Sequence, residues 1–370
     1  MKMSIGVDLH KTQFTVCYLS EDRKIQESGI YPTMDRGWQA FIKKILDWSG
    51  AGYEVRVAVE STGNTRHFCR QIMKAGIEVK IVNTLKFKIV NESVKKTDKH
   101  DSRTLAEFLE KDMLPESILC SQESEDIRRL LKSRSVLVKA IVSLKNQVHG
   151  LLLGYGIESR RGQLQSKKER QRILDGLADH RSDGNAARAV QPLLDSIDQI
   201  SFQVKELERV LSELIVQDEE VALLKTIPGV GLITAAAIRA YTDDINRYES
   251  AKQYAAHAGL VPWVQNSNKT IHHGHITKRG PSELRTAFVQ MVMGMLRLQN
   301  KTDGYRLMRK YRMMKECKGT GKSIIATARK MSSIVYAILK TRQPFDSLRM
   351  LPVPKDMEMS KDATRYALVV

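Results

Sequence analysis

Cysteine is scarce in these 370 residues, and the four present (Cys17, Cys69, Cys120 and Cys317) never form a C-x-x-C pair. That spacing excludes a zinc ribbon and a disulfide framework, so the thiols are expected to be reduced, as in the cytosol. Long apolar runs are lacking too. No stretch approaches the roughly 20 residues that span a bilayer. "MKMSIGVDLH" enters strand-like alternation at once and leaves no room for a signal peptide. A soluble cytoplasmic protein is the expectation. Aromatics make up only 6%, and no repeat of solenoid length is present. The remaining shortage is of negative charge: 42 Asp and Glu stand against 60 Lys and Arg, a net charge of +18. Such an excess points to a polyanionic partner, nucleic acid being the commonest. The blander reading is a basic protein kept soluble by its charge. A membrane-surface role is disfavoured, because no terminal polybasic amphipathic helix stands out.

With 42% hydrophobic residues the chain can bury two or three cores. Residues 1–118 read as α/β. "SIGVDLHKTQFTVCYLS" is two β-branched runs around His10-Lys11-Thr12, a hairpin signal, and "KIQESGIYPT" adds a third strand. A helix follows through Trp38, Phe41, Ile42, Ile45 and Leu46, then a strand, "YEVRVAVES". "NTRHFCRQIMKAG" reads as a helix with Asn64 at its N-cap and Gly76 closing it. The strand "EVKIVN" and a helix from Asp98 to Glu110 complete the order of a ribonuclease-H-like fold. Residues 119–218 change character. Leu137, Ile141, Leu144, Val148 and Leu151, and then Leu193, Ile197, Ile200, Val204, Leu207, Leu211 and Leu214, keep a/d spacing. Two long helices in a coiled coil are predicted, as a hairpin or between subunits. Between them lies a basic segment, "SRRGQLQSKKERQR", either a solvated face or a nucleic-acid contact. Residues 219–345 form a third, helical unit, and 346–370 an extended tail. In "LLKTIPGVGLITAAAIRAY", Gly229 and Gly231 suggest a helix-hairpin-helix whose backbone approaches a phosphate. A tight turn between packed helices would read the same way.

Two aspartates three positions apart, Asp98 and Asp101 in "KTDKHDSRTLAEFL", repel each other on one helix face. Asp8 lies in the first strand and Glu60 ends "VRVAVE". Pairing of those strands would gather the carboxylates, and the helix can pack across the same end. Four converging anions need cations, since each buried unpaired charge costs several kcal/mol. Oxygen-only ligation suits Mg²⁺ or Mn²⁺. Two ions about 4 Å apart would clamp a phosphodiester. Singly, each acid is an ordinary solvated residue or cap; Asp98 could be just an N-cap with Asp101 at N3.

"GVDLHK", "VESTGN" and "KTDKHDSRTLA" together resemble the three acidic blocks of the DEDD transposases of the IS110/IS1111 insertion-sequence family. "IPGVGLITAAAIRA", "YAAHAGLVP", "HITKRGPSELR" and "ATARKMSSIVYAILK" resemble its C-terminal transposase domain, in the family's order. The resemblance implies a RuvC-like first domain with Asp8, Glu60, Asp98 and Asp101 as metal ligands. It also implies a catalytic serine after "GL-x-P", where the family commonly has Ser-Ser-Gly-Gly-Lys. In "GLVPWVQNSNKTIHHGHITKRG" only Ser267 fills that position, while Asn266, Asn268 and Lys269 depart from the pattern. Ser250 and Ser282 are poorer candidates. A serine hydroxyl is a weak nucleophile unless a base or metal activates it. The implied product is a covalent seryl–DNA phosphodiester, with Lys269, Lys278 and Arg279 neutralising phosphate. A composite active site, a homo-oligomer (dimer or tetramer) built through the coiled coil, and an element-encoded guide RNA are implied as well.

Three motifs are set aside. "KGTGKS" has Glu316 where a P-loop requires glycine. His272, His273 and His275 lack a fourth ligand at zinc spacing. Tyr241, Tyr248 and Tyr254 have no Arg-His-Arg framework of a tyrosine recombinase. The competing functions are a RuvC-like Holliday-junction resolvase or nuclease using metal-activated water, and a non-catalytic nucleic-acid-binding protein. A resolvase would not need Ser267, and a binding protein would not need four convergent acids.

Overall fold

The computed structural model describes residues 1–84, 86–87, 97–160, 162–180, 185–267 and 270–352. It divides into two compact units, Met1–Cys120 and Ser121–Val370.

The first unit is a six-stranded sheet flanked by helices. Its elements are β1 (Lys2–Leu9), β2 (Gln13–Ser20), β3 (Gln26–Pro32), α1 (Asp35–Gly50), β4 (Glu54–Glu60), α2 (Thr65–Lys74), β5 (Glu78–Val82), α3 (Asp98–Glu110) and β6 (Glu116–Ser117). The order across the sheet is β3-β2-β1-β4-β5-β6, antiparallel through β1 and parallel from β1 to β5. Alternation decides the faces, because successive strand side chains point to opposite sides. Met3, Ile5 and Val7 join Phe14, Trp38, Phe41 and Phe68 in one core, with the Phe14 and Trp38 rings stacked 4.9 Å apart. Ala58, Leu105 and Leu109 fill a second core on the opposite face, under α3. Leu46, expected on the buried stripe of α1, is exposed instead, because Trp38, Phe41 and Ile45 already cover the sheet. Gly76 follows α2 at φ +76°, the left-handed conformation a C-terminal glycine supplies.

The second unit holds α4 (Gln122–Gly154), α5 (Lys167–His180), α6 (Asn185–Leu214), α7 (Glu219–Lys225) and α8 (Leu232–Thr242). These are followed by α9 (Ala251–His257), a ribbon of β7 (Pro262–Ser267) and β8 (Thr270–Ile276), α10 (Ser282–Arg297), α11 (Gln299–Thr302), α12 (Arg306–Lys318) and α13 (Thr320–Thr341). The two heptad segments form an antiparallel hairpin. Val148 and Leu152 pack against Val190, Leu194 and Ile197, Leu131 shares a core with Leu211, and Arg134 pairs with Glu208 at 2.7 Å. The seam drifts at its end, so that Leu214 is exposed and Ile215 buried. Within the basic segment Arg170 is structural: its guanidinium donates to the Leu164 carbonyl and to Asp198, both at 2.5 Å. One expectation is corrected here. By length and composition α4 contains a stretch apolar enough to cross a membrane, with 11% of it buried. The heptad rhythm concealed it, since Lys139 and Lys145 interrupt the run.

The main core of this unit centres on Ala236, Ile238, Tyr254, Phe288, Met291, Ala328 and Val335, drawn from α8, α9, α10 and α13. Each large apolar side chain buried there stabilises the fold by about 1.5–3 kcal/mol. Tyr254 donates to or accepts from Thr242 at 2.6 Å, and Tyr248 is buried, its hydroxyl without a partner among the described residues and its pKa pushed up by burial to about 12. Neither tyrosine is placed to attack a substrate. Beside them His257 accepts burial at the cost of its charge. Burial holds its pKa below the usual 6.5, Arg247 and Arg128 add to the effect, and the Tyr241 carbonyl at 3.3 Å opposes it. The unfolded chain therefore binds a proton that the fold refuses, so stability falls as pH drops below 6.5. Urea unfolding at pH 7 and pH 5.5 should show a larger loss for the wild type than for His257→Gln. An identical loss in both would remove His257 as the cause.

Candidate metal and nucleic-acid site

The site begins with a glycine. Gly6 lies on the α3 face of β1, and a Cβ there would overlap the Ser102 carbonyl and the Ala106 nitrogen. Only a bare backbone lets α3 lie this close to the strand. Two residues on, on the same face, is Asp8. In the parallel β1–β4 pairing Val7 stands beside Val59, so Asp8 and Glu60 come next in step at the ends of neighbouring strands. Glu60 shares the face of Ala58, which packs under Leu105. The first turn of α3 carries Asp98 and Asp101 over this end. Thr97, and not Asp98, is the N-cap, accepting from the His100 amide at 3.2 Å. Asp98 is thus released from the capping role that sequence also allowed.

His10 bridges the acids. Its Nε2 lies 3.1 Å from Asp8 Oδ2 and 3.3 Å from Asp98 Oδ2. Asp8, His10 and Asp98 offer ligand atoms that all lie within 4.8 Å of one another. Burial pushes the Asp8 carboxyl above its usual range; His10 pulls it back, and Asp98 and Asp101 push it up again. Asp8 is thus a half-buried carboxylate in a surplus of negative charge, the electrostatic condition a cation relieves. The donor set fits a divalent ion. It departs from the oxygen-only set expected from sequence, because an imidazole nitrogen joins it. Period-two spacing from Asp8 could have found His10, and the polar turn it also belongs to concealed it.

Asn64 is the N-cap residue of α2, as its sequence predicts, but its side chain makes no capping hydrogen bond. Its Nδ2 donates to the His10 carbonyl at 2.9 Å, and its Oδ1 accepts from Thr62 at 3.2 Å. Through this tether the loop after β4, held by Thr65 on the Glu60 carbonyl at 2.6 Å, positions the turn that carries His10.

The other sequence candidates lie in the second unit. Ser267 ends β7 opposite Thr270, at the head of the ribbon. Asn268 and Lys269 lie outside the described residues. Lys278 and Arg279 are exposed beyond β8, Lys278 at φ +52°. Gly229, at φ +85°, presses its backbone against Gly294 of α10, where a Cβ on either would overlap the other. The close approach it permits is therefore to a helix. Gly231 is exposed at the N-terminus of α8, with open space around it.

Substituting Gly6 tests how the site is held. Gly6→Ala should destabilise the first unit by about 1–3 kcal/mol through overpacking and weaken divalent-ion binding by lifting α3. Calorimetry with and without Mn²⁺ reads both; unchanged ion affinity would show that α3 does not set the acids.

Residues 5–157 match the model of the DEDD transposases of the IS110 type, and residues 221–306 that of the "Transposase IS116/IS110/IS902 family". The chain is 30% identical over 342 residues to the transposase for insertion sequence element IS1111A of Coxiella burnetii, covering 92% of this chain and 90% of that one. It is 28% identical over 357 residues to the pilin gene-inverting protein of Moraxella lacunata, covering 93% and 98%. A third relative, the transposase for insertion sequence element IS1328 of Yersinia enterocolitica, is 28% identical over 236 residues, 63% of this chain and 69% of the relative. A mixed α/β sheet domain followed by helices, with an acidic cluster able to hold a metal, defines the class: a DEDD-type DNA transposase or recombinase. The chain belongs to the IS110/IS1111 family of insertion-sequence transposases.

Proposed function

We propose that this transposase cuts and rejoins DNA through a serine-linked intermediate, with Asp8, Glu60, Asp98 and Asp101 holding divalent cations, Mg²⁺ or Mn²⁺. The observation that carries it is the gathering of Asp8, His10 and Asp98 at the end of β1, with Asp101 near enough to raise the Asp8 pKa. The sheet order, antiparallel through β1 and parallel beyond it, supports a RuvC-like first domain. A relative named as a gene-inverting protein supports rejoining as well as cutting.

In the reaction, Ser267 Oγ forms a bond to phosphorus as a phosphorus–oxygen bond to deoxyribose breaks. The serine gives up its proton and the leaving oxygen gains one, so the phosphodiester count is conserved. Bound cations would supply Lewis-acid polarisation of the phosphate. The chain's own residues do the rest. Gly6 and Thr97 set the acidic end of α3, Asn64 holds the His10 turn, and the ribbon presents Ser267. Lys278 and Arg279, with Lys269, would neutralise phosphate charge. An element-encoded guide RNA fits the net charge of +18 and the exposed Lys167 and Lys168 of the basic segment. A homo-oligomer fits the exposed Val136, Val142, Phe202 and Val210 on the helical hairpin.

Denaturing electrophoresis of the protein with labelled element-end DNA, guide RNA and Mn²⁺ tests the reading. A protein–DNA band that survives denaturation and disappears with chelator is expected. Cleaved DNA with no such band would favour the resolvase-like alternative, in which water attacks.

A further inference from the structure

We infer that the second unit carries a dedicated groove for the DNA backbone, formed by α12, α13 and the foot of the β7–β8 ribbon. The cavity there has a volume of about 1140 Å³. Its rim carries Lys252, Lys310, Lys318, Lys322, Arg329 and Lys330, joined by Lys278 and by His275. Among the described residues no aspartate or glutamate lines it. Among the described residues none of these cations pairs with a carboxylate, whereas Arg239, Arg247 and Arg312 of the same unit all do. Seven like charges around one cavity repel one another and set up a positive field that attracts a polyanion. The "KGTGKS" run, which is no phosphate loop, supplies two of them as side-chain cations where α12 gives way to α13.

The floor identifies the occupant as DNA. It is apolar, made by Leu260, Pro262, Ile276, Leu307, Met314 and Ile325. Of the two hydroxyl side chains present, Thr327 is buried and already donates to the Ser323 carbonyl at 2.8 Å. A ribose 2′-hydroxyl pressed on this floor would lose water and gain little, while the C2′ methylene of deoxyribose is suited to it. Pro262, Gly274 and Ile276 belong to the ribbon that carries Ser267. Ser267 is five residues along β7 from Pro262, about 17 Å at strand spacing. That equals the axial rise of about five phosphates of one strand of a duplex. A strand seated in the groove would be held on one side of the phosphate that Ser267 attacks. This assignment rests on the reading that the Ser267 ribbon acts on DNA.

The test is fluorescence anisotropy of labelled mixed-sequence duplex DNA against salt concentration, since backbone contacts are independent of sequence. The variant Lys310→Gln/Lys318→Gln/Lys322→Gln should bind roughly tenfold or more weakly. The slope of log K against log salt should fall in magnitude by about 2–3, close to 0.9 for each phosphate contact removed. A control of equal charge change, Lys43→Gln/Lys74→Gln/Lys111→Gln, should alter it far less. Equal slopes for the two variants, or a wild-type slope in the first, would overturn the groove. The same duplex made as RNA forms the second arm: lost RNA affinity with DNA affinity intact would overturn the choice of DNA. The proposed function fails separately, if wild-type protein that binds DNA with the expected slope never forms the covalent band.

Discussion

Ser267→Ala is expected to abolish the covalent protein–DNA band and to lower recombination by on the order of 10³-fold or more, the scale of removing a nucleophile. The variant should bind DNA and divalent ions as the wild type does, because Ser267 ends β7 beside the turn to β8 and the change removes one hydroxyl without altering charge. Ser267→Cys is the informative companion. A thiolate at this position can attack phosphorus but is a soft nucleophile, so a trace of adduct with altered chemical stability would mark the position as the attacking one. An adduct of full yield in Ser267→Ala would reassign the nucleophile. Ser250 and Ser282 would then be tested; Ser250 is committed as the N-cap of α9, accepting from Gln253.

The second large effect concerns Asp8. Asp8→Asn keeps the shape and removes the charge, and should eliminate cleavage while sparing DNA binding. Its effect on stability has the opposite sign. The folded pKa of Asp8 is raised by burial and by Asp98 and Asp101, so the native state binds the proton more tightly than the unfolded chain. Asp8 therefore contributes stability below its unfolded pKa of 3.8 and loses it as pH rises through the raised value. At pH 7 without metal its charge works against the fold. Asp8→Asn should then melt slightly above the wild type in chelator, and Mn²⁺ should raise the melting temperature of the wild type but not of the variant. A variant that is both less stable and still responsive to Mn²⁺ would make Asp8 structural. Stability surrendered for a charge cluster is the pattern of a working site.

Much of this was legible in the residues because local signals agreed with the fold. Alternation in "KMSIGVDL" and "EVRVAVE" announced the strands, and a/d spacing the long helices. Ambiguity remained where one residue had two physical uses. Asn64 has the chemistry of an N-cap and spends it on the His10 carbonyl. Asp98 could cap, yet Thr97 one position earlier does so. Gly229 suits a phosphate loop and a helix crossing equally, and the partner glycine, Gly294, lies 65 residues further on in the chain. Local rules cannot choose between uses that a distant partner decides.

From sequence alone came the residue types: a surplus of cations, four spaced acids, a lone serine after "GLVP", and the periodicities that build a sheet domain and a helical one. Tertiary structure alone decided that Asp8 and Glu60 end neighbouring parallel strands, that Gly6 admits α3 over them, and that His10 lies between two carboxylates. It also drew lysines from three helices and the loop after β8 around one cavity. The division has a plain cause. Periodicity is set by bonds between neighbours in the chain, whereas the charge a carboxylate or lysine feels is set by whatever packs within a few ångströms of it, however far away in sequence.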